Sequence, residues 1–183
     1  SSPNTRGHFD IILRRVGDSL RDKFVRTLDL MALGDELALK SGRYRLNYQG
    51  DDDPIRYSTI VVSGLGITTA MQMLRGVLPG KDSTVEEVEV VWVNEDKADF
   101  LCATEMERME YGYIEKMRVS RVIQADLFGK DITENALVRD AVSSYEEGRI
   151  AVVCGPDYVV TRMRSFFQEL DYPSENIMCV VVS

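Results

Sequence analysis

Residues 59–78 fix what this chain can become. Thr59-Ile60-Val61-Val62-Ser63 is a largely β-branched run suited to a strand buried on both faces, as in a parallel sheet. Gly64 and Gly66 follow at once. Beyond them Ile67, Ala70, Met71, Leu74, Val77 and Leu78 recur at helical spacing and form one apolar stripe. The order is strand, glycine turn, helix, and that order has a chemistry. Glycines let main chain approach a ligand with no Cβ in the way. The helix start brings unpaired N–H groups and a partial positive charge to the same place. A pyrophosphate fits there. A tight turn with no ligand accounts for two glycines equally well, because G-x-G alone is common.

The rest of the chain divides around that stretch. Upstream, residues 8–16 read as a strand, 17–31 as a helix carrying Leu20, Phe24, Leu28 and Met31 at helical spacing, and 33–40 and 41–48 as two more strands. Residues 49–54, rich in Asp and Gly, form the best linker candidate. This gives a β-rich region over 1–50 and an alternating β/α region over 51–183. Downstream of the glycine turn, strands are predicted over 85–93, 117–123, 150–154 and 177–182, with helices over 98–111, 134–144 and 158–170. Such alternation predicts an α/β fold, a parallel five-stranded sheet with helices on both faces. Ligands of these sheets bind at the carboxyl ends of the strands. Gly64 and Gly66, Asn94 and Glu95, and Cys154-Gly155-Pro156 all fall at that edge.

Composition narrows the function. At 183 residues with a formal net charge of -8, the chain lacks the basic surface that non-specific nucleic-acid binding needs. It has no apolar run of membrane-spanning length and no visible signal peptide, so it is not expected to be transmembrane itself. Ser1-Ser2-Pro3-Asn4-Thr5-Arg6-Gly7 would suit the remnant of a cleaved organelle transit peptide. Three scattered cysteines, Cys102, Cys154 and Cys179, make neither a disulfide framework nor a zinc site, and point to a reducing compartment, cytoplasm or organelle. With His8 the only histidine, a Ser-His-Asp or Cys-His hydrolytic apparatus is not expected, and no metal site is read.

Three motifs in the right order carry a family resemblance. The segment Gly64-Leu65-Gly66-Ile67-Thr68 resembles the glycine-rich pyridine-nucleotide turn of ferredoxin–NADP reductase-type flavoproteins, most closely the cytochrome b5 reductase and nitrate reductase branch. Residues 92–101, with Asn94 and Asp96, resemble that family's second-strand segment. Cys154-Gly155-Pro156 resembles its C-G-P signature, and 171–177 the approach to its last strand. The resemblance covers residues 34 to 183 and implies an NAD(P)-binding half behind a partial, antiparallel FAD barrel. It further implies hydride transfer from a nicotinamide cofactor to FAD, with electrons passing on to a protein acceptor. On that basis Gly64, Gly66, Ile67 and Thr68 would hold the pyrophosphate, and Asn94 would lie near the adenosine half. Gly155 and Pro156 would belong to the cofactor site, with Cys154 beside the nicotinamide–flavin stack as the candidate catalytic residue. Cys154 also fits a small buried residue at a strand end.

Several positions depart from the pattern. Thr69 stands where the family turn has Pro, Glu95 where it has Arg or Gln, and Ser183 where an aromatic residue often ends the chain. In the flavin-phosphate element Asp22 replaces Gly and Val25 replaces a hydroxyl residue, poor partners for a phosphate. Glu95 would repel a 2′-phosphate, which favours NADH. Ser120-Arg121 resembles the pair that NADPH-using relatives place on that phosphate, and Arg121 also suits a solvated strand-end charge. Two functions follow. One is an NAD(P)H-dependent oxidoreductase module serving a redox acceptor protein, its flavin held weakly or completed by another chain. The other is a degenerate relative kept as an accessory subunit among neighbours in a larger complex. Beside these two stands a third reading, an ordinary Rossmann dehydrogenase with Glu95 or Asp96 on the ribose.

Overall fold

The computed structural model of the chain describes residues 27, 30–32, 34–36, 54–79, 83–127 and 129–182. Five strands, β1 (Tyr57–Val62), β2 (Glu87–Asn94), β3 (Met117–Ile123), β4 (Arg149–Gly155) and β5 (Ile177–Val181), form one sheet in the order β3-β2-β1-β4-β5. Every pairing is parallel, with Val62 level with Trp92 on one side and Cys154 on the other. Four α-helices join them: α1 (Gly66–Val77), α2 (Ala103–Gly112), α3 (Ala136–Asp140) and α4 (Asp157–Glu169). The parallel five-stranded α/β sheet is the one the alternation predicts.

Helices cover both faces, and the strand period of two decides which residue meets which helix. Ile60, Val62, Val90, Trp92, Val152 and Cys154 point to one face, where Ile67, Ala70, Met71 and Leu74 of α1 and Met106 of α2 pack. Val61, Val91, Val93, Ala151 and Val153 point to the other, under Val159, Val160, Met163, Phe166 and Phe167 of α4 and Val138 of α3. Because β1 and β4 are buried on both faces, Ile60–Val62 and Ile150–Cys154 read as unbroken apolar runs. The edge strand β3 is only partly covered, with Met117 and Val122 buried and Arg118, Arg121 and Ile123 exposed.

Three expectations need revision. The helix predicted over 98–111 is a 3-10 turn, Lys97–Asp99, then a break, then α2. Asp96 caps the turn by accepting from the Ala98 N–H at 2.9 Å, and Cys102 enters α2 from a left-handed backbone, φ 61°. The helix over 134–144 shrinks to α3, because Asn135 breaks from the 3-10 turn Ile132–Glu134 and recaps at Leu137 N. Within 33–40, where a strand was expected, Gly34 adopts φ 102° in a turn closed by the Ala32 N–H donating to Asp35 Oδ2 at 2.7 Å. The other strands predicted upstream, the boundary at residue 50, Asp22, Val25 and Ser183 lie outside the described residues.

Candidate functional site

In the order β3-β2-β1-β4-β5 the chain reverses direction across the sheet between β1 and β4. A crevice therefore opens above their carboxyl ends. There the Ser63 N–H donates to the Cys154 carbonyl at 3.0 Å, tying the two strand ends together. Gly64 turns with φ 54°, and its N–H donates to Asn94 Oδ1 at 2.9 Å. A Cβ at Gly64 would meet nothing within 4 Å, so the turn faces open space. A Cβ at Gly66 would lie 2.0 Å from the Cys154 carbonyl oxygen. Gly66 thus lacks a side chain so that α1 can sit down on β4. The two glycines do different jobs, which spacing alone does not reveal.

The start of α1 is largely self-satisfied. The amides of Gly66, Ile67 and Thr68 donate back to the carbonyls of Ser63, Gly64 and Leu65, and the Thr68 hydroxyl donates to Leu65 O at 2.9 Å. What α1 offers an anion is mainly its dipole, concentrated beside Gly64. Ile67 is fully buried in the core and presents nothing to a ligand in the crevice. Gly155 is more mildly constrained, since a Cβ there would come within 3.3 Å of Ser63 Cβ. Pro156 follows it and opens α4.

Cys154 is fully buried on the α1 face, its thiol pushed up to about 12, chiefly by burial and further by Cys179. It is a neutral thiol below the crevice floor. Asn94 is 2% exposed and uses both ends of its carboxamide, accepting from Gly64 and donating to the Asp99 carbonyl at 3.2 Å. The structure thus brings Gly64, Gly66, Asn94, Cys154 and Gly155 into direct contact, with Thr68 in the first turn above them. Sequence reasoning missed the Asp99 carbonyl and Ser63 as members. Neither carries a chemical signature, and only the sheet order makes them neighbours.

The charged candidates have partners. Glu95 Oε1 accepts from the Leu127 N–H at 2.9 Å, and Asp96 caps its own turn, so each carboxylate proposed for a ribose is already committed to a main-chain amide. Arg121 is drawn to α2, 3.4 Å from Glu110 and 3.9 Å from Glu107. It is a paired strand residue. Among the described residues no group of three or more potential ligands is placed to hold a metal, and no helix is long and apolar enough to cross a membrane.

The family model described as "Oxidoreductase NAD-binding domain" matches residues 60–165, from β1 into α4. The chain belongs to that family. Its relatives include the NADH nitrate reductase of Ulva prolifera, 23% identical over 83% of this chain and 20% of the relative. Another is NADH-cytochrome b5 reductase 1 of Cryptococcus neoformans, 23% identical over 92% of this chain and 59% of the relative. Among solved structures, the cytochrome b5 reductase domain of Ulva prolifera nitrate reductase superposes with a TM-score of 0.71 at 18% identity, covering 86% of this chain and 65% of that one. The CS-b5R domains of human Ncb5or in the NAD+ form give 0.65 at 17%, covering 86% and 45%. The chain therefore spans one fifth to three fifths of these two relatives. It is an NAD(P)H-binding module of the cytochrome b5 reductase and ferredoxin reductase type, corresponding to their NAD-binding half.

Proposed function

We propose that this chain binds NADH across the carboxyl ends of β1, β2 and β4 and serves as the hydride-donating half of a flavin-dependent reductase with a protein electron acceptor. The observation that carries this reading is Gly64. It sits at φ 54° with open space above it, at the point where the strand order reverses, beside the positive end of α1. When bound, the reduced nicotinamide supplies a hydride, and the family's flavin accepts it. This chain's residues bind and orient. Gly64, with the positive end of α1 beside it and Thr68 in the first turn above, faces the pyrophosphate. Gly155 and Pro156 flank the nicotinamide, and Cys154 supports that end from beneath as a positioning residue with a neutral thiol. Preference for NADH is supported by Arg121, whose charge is held by Glu107 and Glu110, and by the negative charge of Glu95 at the end of β2.

The test is a visible absorption spectrum of the gently purified protein, followed by titration with NADH and NADPH. A flavin spectrum bleached by NADH at concentrations where NADPH is ineffective supports the whole reading. A colourless protein that binds NADH supports the nucleotide half and assigns the flavin to another chain. A colourless protein that binds neither nucleotide overturns it and favours an accessory subunit of a larger complex, for which the departures at Asp22 and Val25 argue.

A further inference from the structure

Asn94 ends β2 and is almost wholly buried, yet it is polar at both ends of its side chain. A main-chain N–H can only donate and a carbonyl can only accept. The Gly64 amide and the Asp99 carbonyl therefore fix which end of the carboxamide is oxygen. Its own carbonyl accepts from the Gln124 N–H at 2.9 Å, pinning the residue to the end of β3 as well. Side-chain packing does not hold the left-handed Gly64, because no atom lies within 4 Å of where its Cβ would be. The Asn94 oxygen does. On the other side, the nitrogen holds Asp99, next to Phe100 and near the left-handed Cys102. Phe100 stacks edge-on to Trp92 at 4.9 Å, and Phe100 and Cys102 line a cleft of about 860 Å³ along α2.

We infer that Asn94 is a positioning residue: its carboxamide joins the glycine turn and the 96–102 segment into one unit, so that the nucleotide feels Asn94 through Gly64 rather than by contact. This rests on the proposed NADH site at Gly64 and adds to it a coupling between the phosphate turn and the wall of the α2 cleft. Removing either hydrogen bond should loosen the segment on that side alone, because the two bonds use different atoms of one side chain.

The experiment uses the full 183-residue chain. Amide hydrogen exchange and NADH affinity are measured for the wild type, Asn94→Ala and Asn94→Asp. The alanine variant should speed exchange at Gly64 and at Phe100 to Cys102 together and leave Val61 and Val152 in the central strands unchanged. It should also weaken NADH about tenfold, the order of one lost hydrogen bond in a buried site. The aspartate variant keeps the oxygen and loses the donor, so Gly64 should stay protected while Phe100 to Cys102 exchange faster. An alanine variant that binds NADH like the wild type, or that loosens the whole sheet, overturns the inference. Should the alanine variant not fold, the aspartate variant decides: faster exchange at both segments or at neither overturns it. If the wild type does not bind NADH, the proposed function fails, and the exchange pattern still decides the coupling.

Discussion

The two ends of this sheet handle polarity in opposite ways. At the amino end, Arg149 has a side chain only 5% exposed, with Glu89 Oε2 at 3.2 Å, Thr59 Oγ1 at 3.3 Å and Glu146 Oε1 at 2.5 Å. Glu89 also accepts from Thr59 at 3.0 Å and Ser143 at 2.7 Å, and the guanidinium lies 5.0 Å from the Tyr57 ring. Burial works against the Arg149 charge, but the Glu146 hydrogen bond and the Glu89 charge outweigh it and hold the group above its ordinary value. At the carboxyl end Gly64, Gly66 and Gly155 bring no side chains, and the buried carboxamide of Asn94 bridges the glycine turn and Asp99. Side chains that saturate one another have nothing left with which to recognise a ligand. The open turn at Gly64, beside the positive end of α1, leaves room for one. The amino end locks the sheet, and the carboxyl end is the proposed nucleotide site.

The largest expected effect breaks the lock. Arg149→Ala leaves the partly buried Glu89 carboxylate beside an unfilled space without its cation, and loss of one partner of such a pair costs about 3 kcal/mol, the low end for a buried pair. Urea denaturation should show it as a lower midpoint. Replacing Arg149 by Met and Glu89 by Leu together should recover most of the loss, because no charge is then stranded. The double variant should keep its NADH affinity within about twofold. A large fall in affinity in a stable double variant would break the division between the two ends.

Next come the glycines, which sharpen the comparison from the other side. Gly66→Ala drives a methyl group into the Cys154 carbonyl, and α1 must lift from β4. That is overpacking against backbone and should cost about 3 kcal/mol. Gly64→Ala meets no atom and is penalised only for its left-handed backbone, about 1–2 kcal/mol. The order reverses for the ligand. Per unit of stability lost, Gly64→Ala should cost more NADH affinity, since its methyl group would occupy the open space above the turn. Thermal denaturation paired with NADH titration separates the two effects.

How much of this was legible before folding follows from the same contrast. The central strands announce themselves because β1, β2 and β4 are buried on both faces, and continuous Val and Ile runs have no other comfortable home. The stripe of α1 is equally plain. What stayed hidden is whatever depends on strand order. Asn94 and Gly64 are 30 residues apart and meet only because β2 lies beside β1. Gly66 looks like a ligand residue until β4 is known to end beneath it. Arg121 looks free until α2 supplies Glu110. The break at residues 100–102 is masked by an apolar spacing that continues across it, and only the Asp96 cap and the Asn94 bond to Asp99 show why the helix restarts.

The smallest expected effect concerns the carboxyl side of the sheet, in the connection from β3 to α3. Asp131 opens the 3-10 turn Ile132–Glu134, its Oδ1 accepting from the Thr133 N–H at 3.0 Å and the Thr133 hydroxyl at 2.7 Å. Those two bonds, the amide first, hold its carboxyl below the ordinary range. Burial opposes them, and Arg162, 3.6 Å away on α4, adds to them. A folded pKa below the unfolded one means that the carboxylate stabilises the fold above the ordinary value of about 4. The contribution is lost as pH falls through the lower folded value. Asp131→Ala should therefore lower stability by about 1 kcal/mol at neutral pH, the usual worth of such a cap. Its melting curve should converge on that of the wild type as the pH is taken toward 2. A gap that persists unchanged in acid would mean that Asp131 acts by packing and not as a titrating cap.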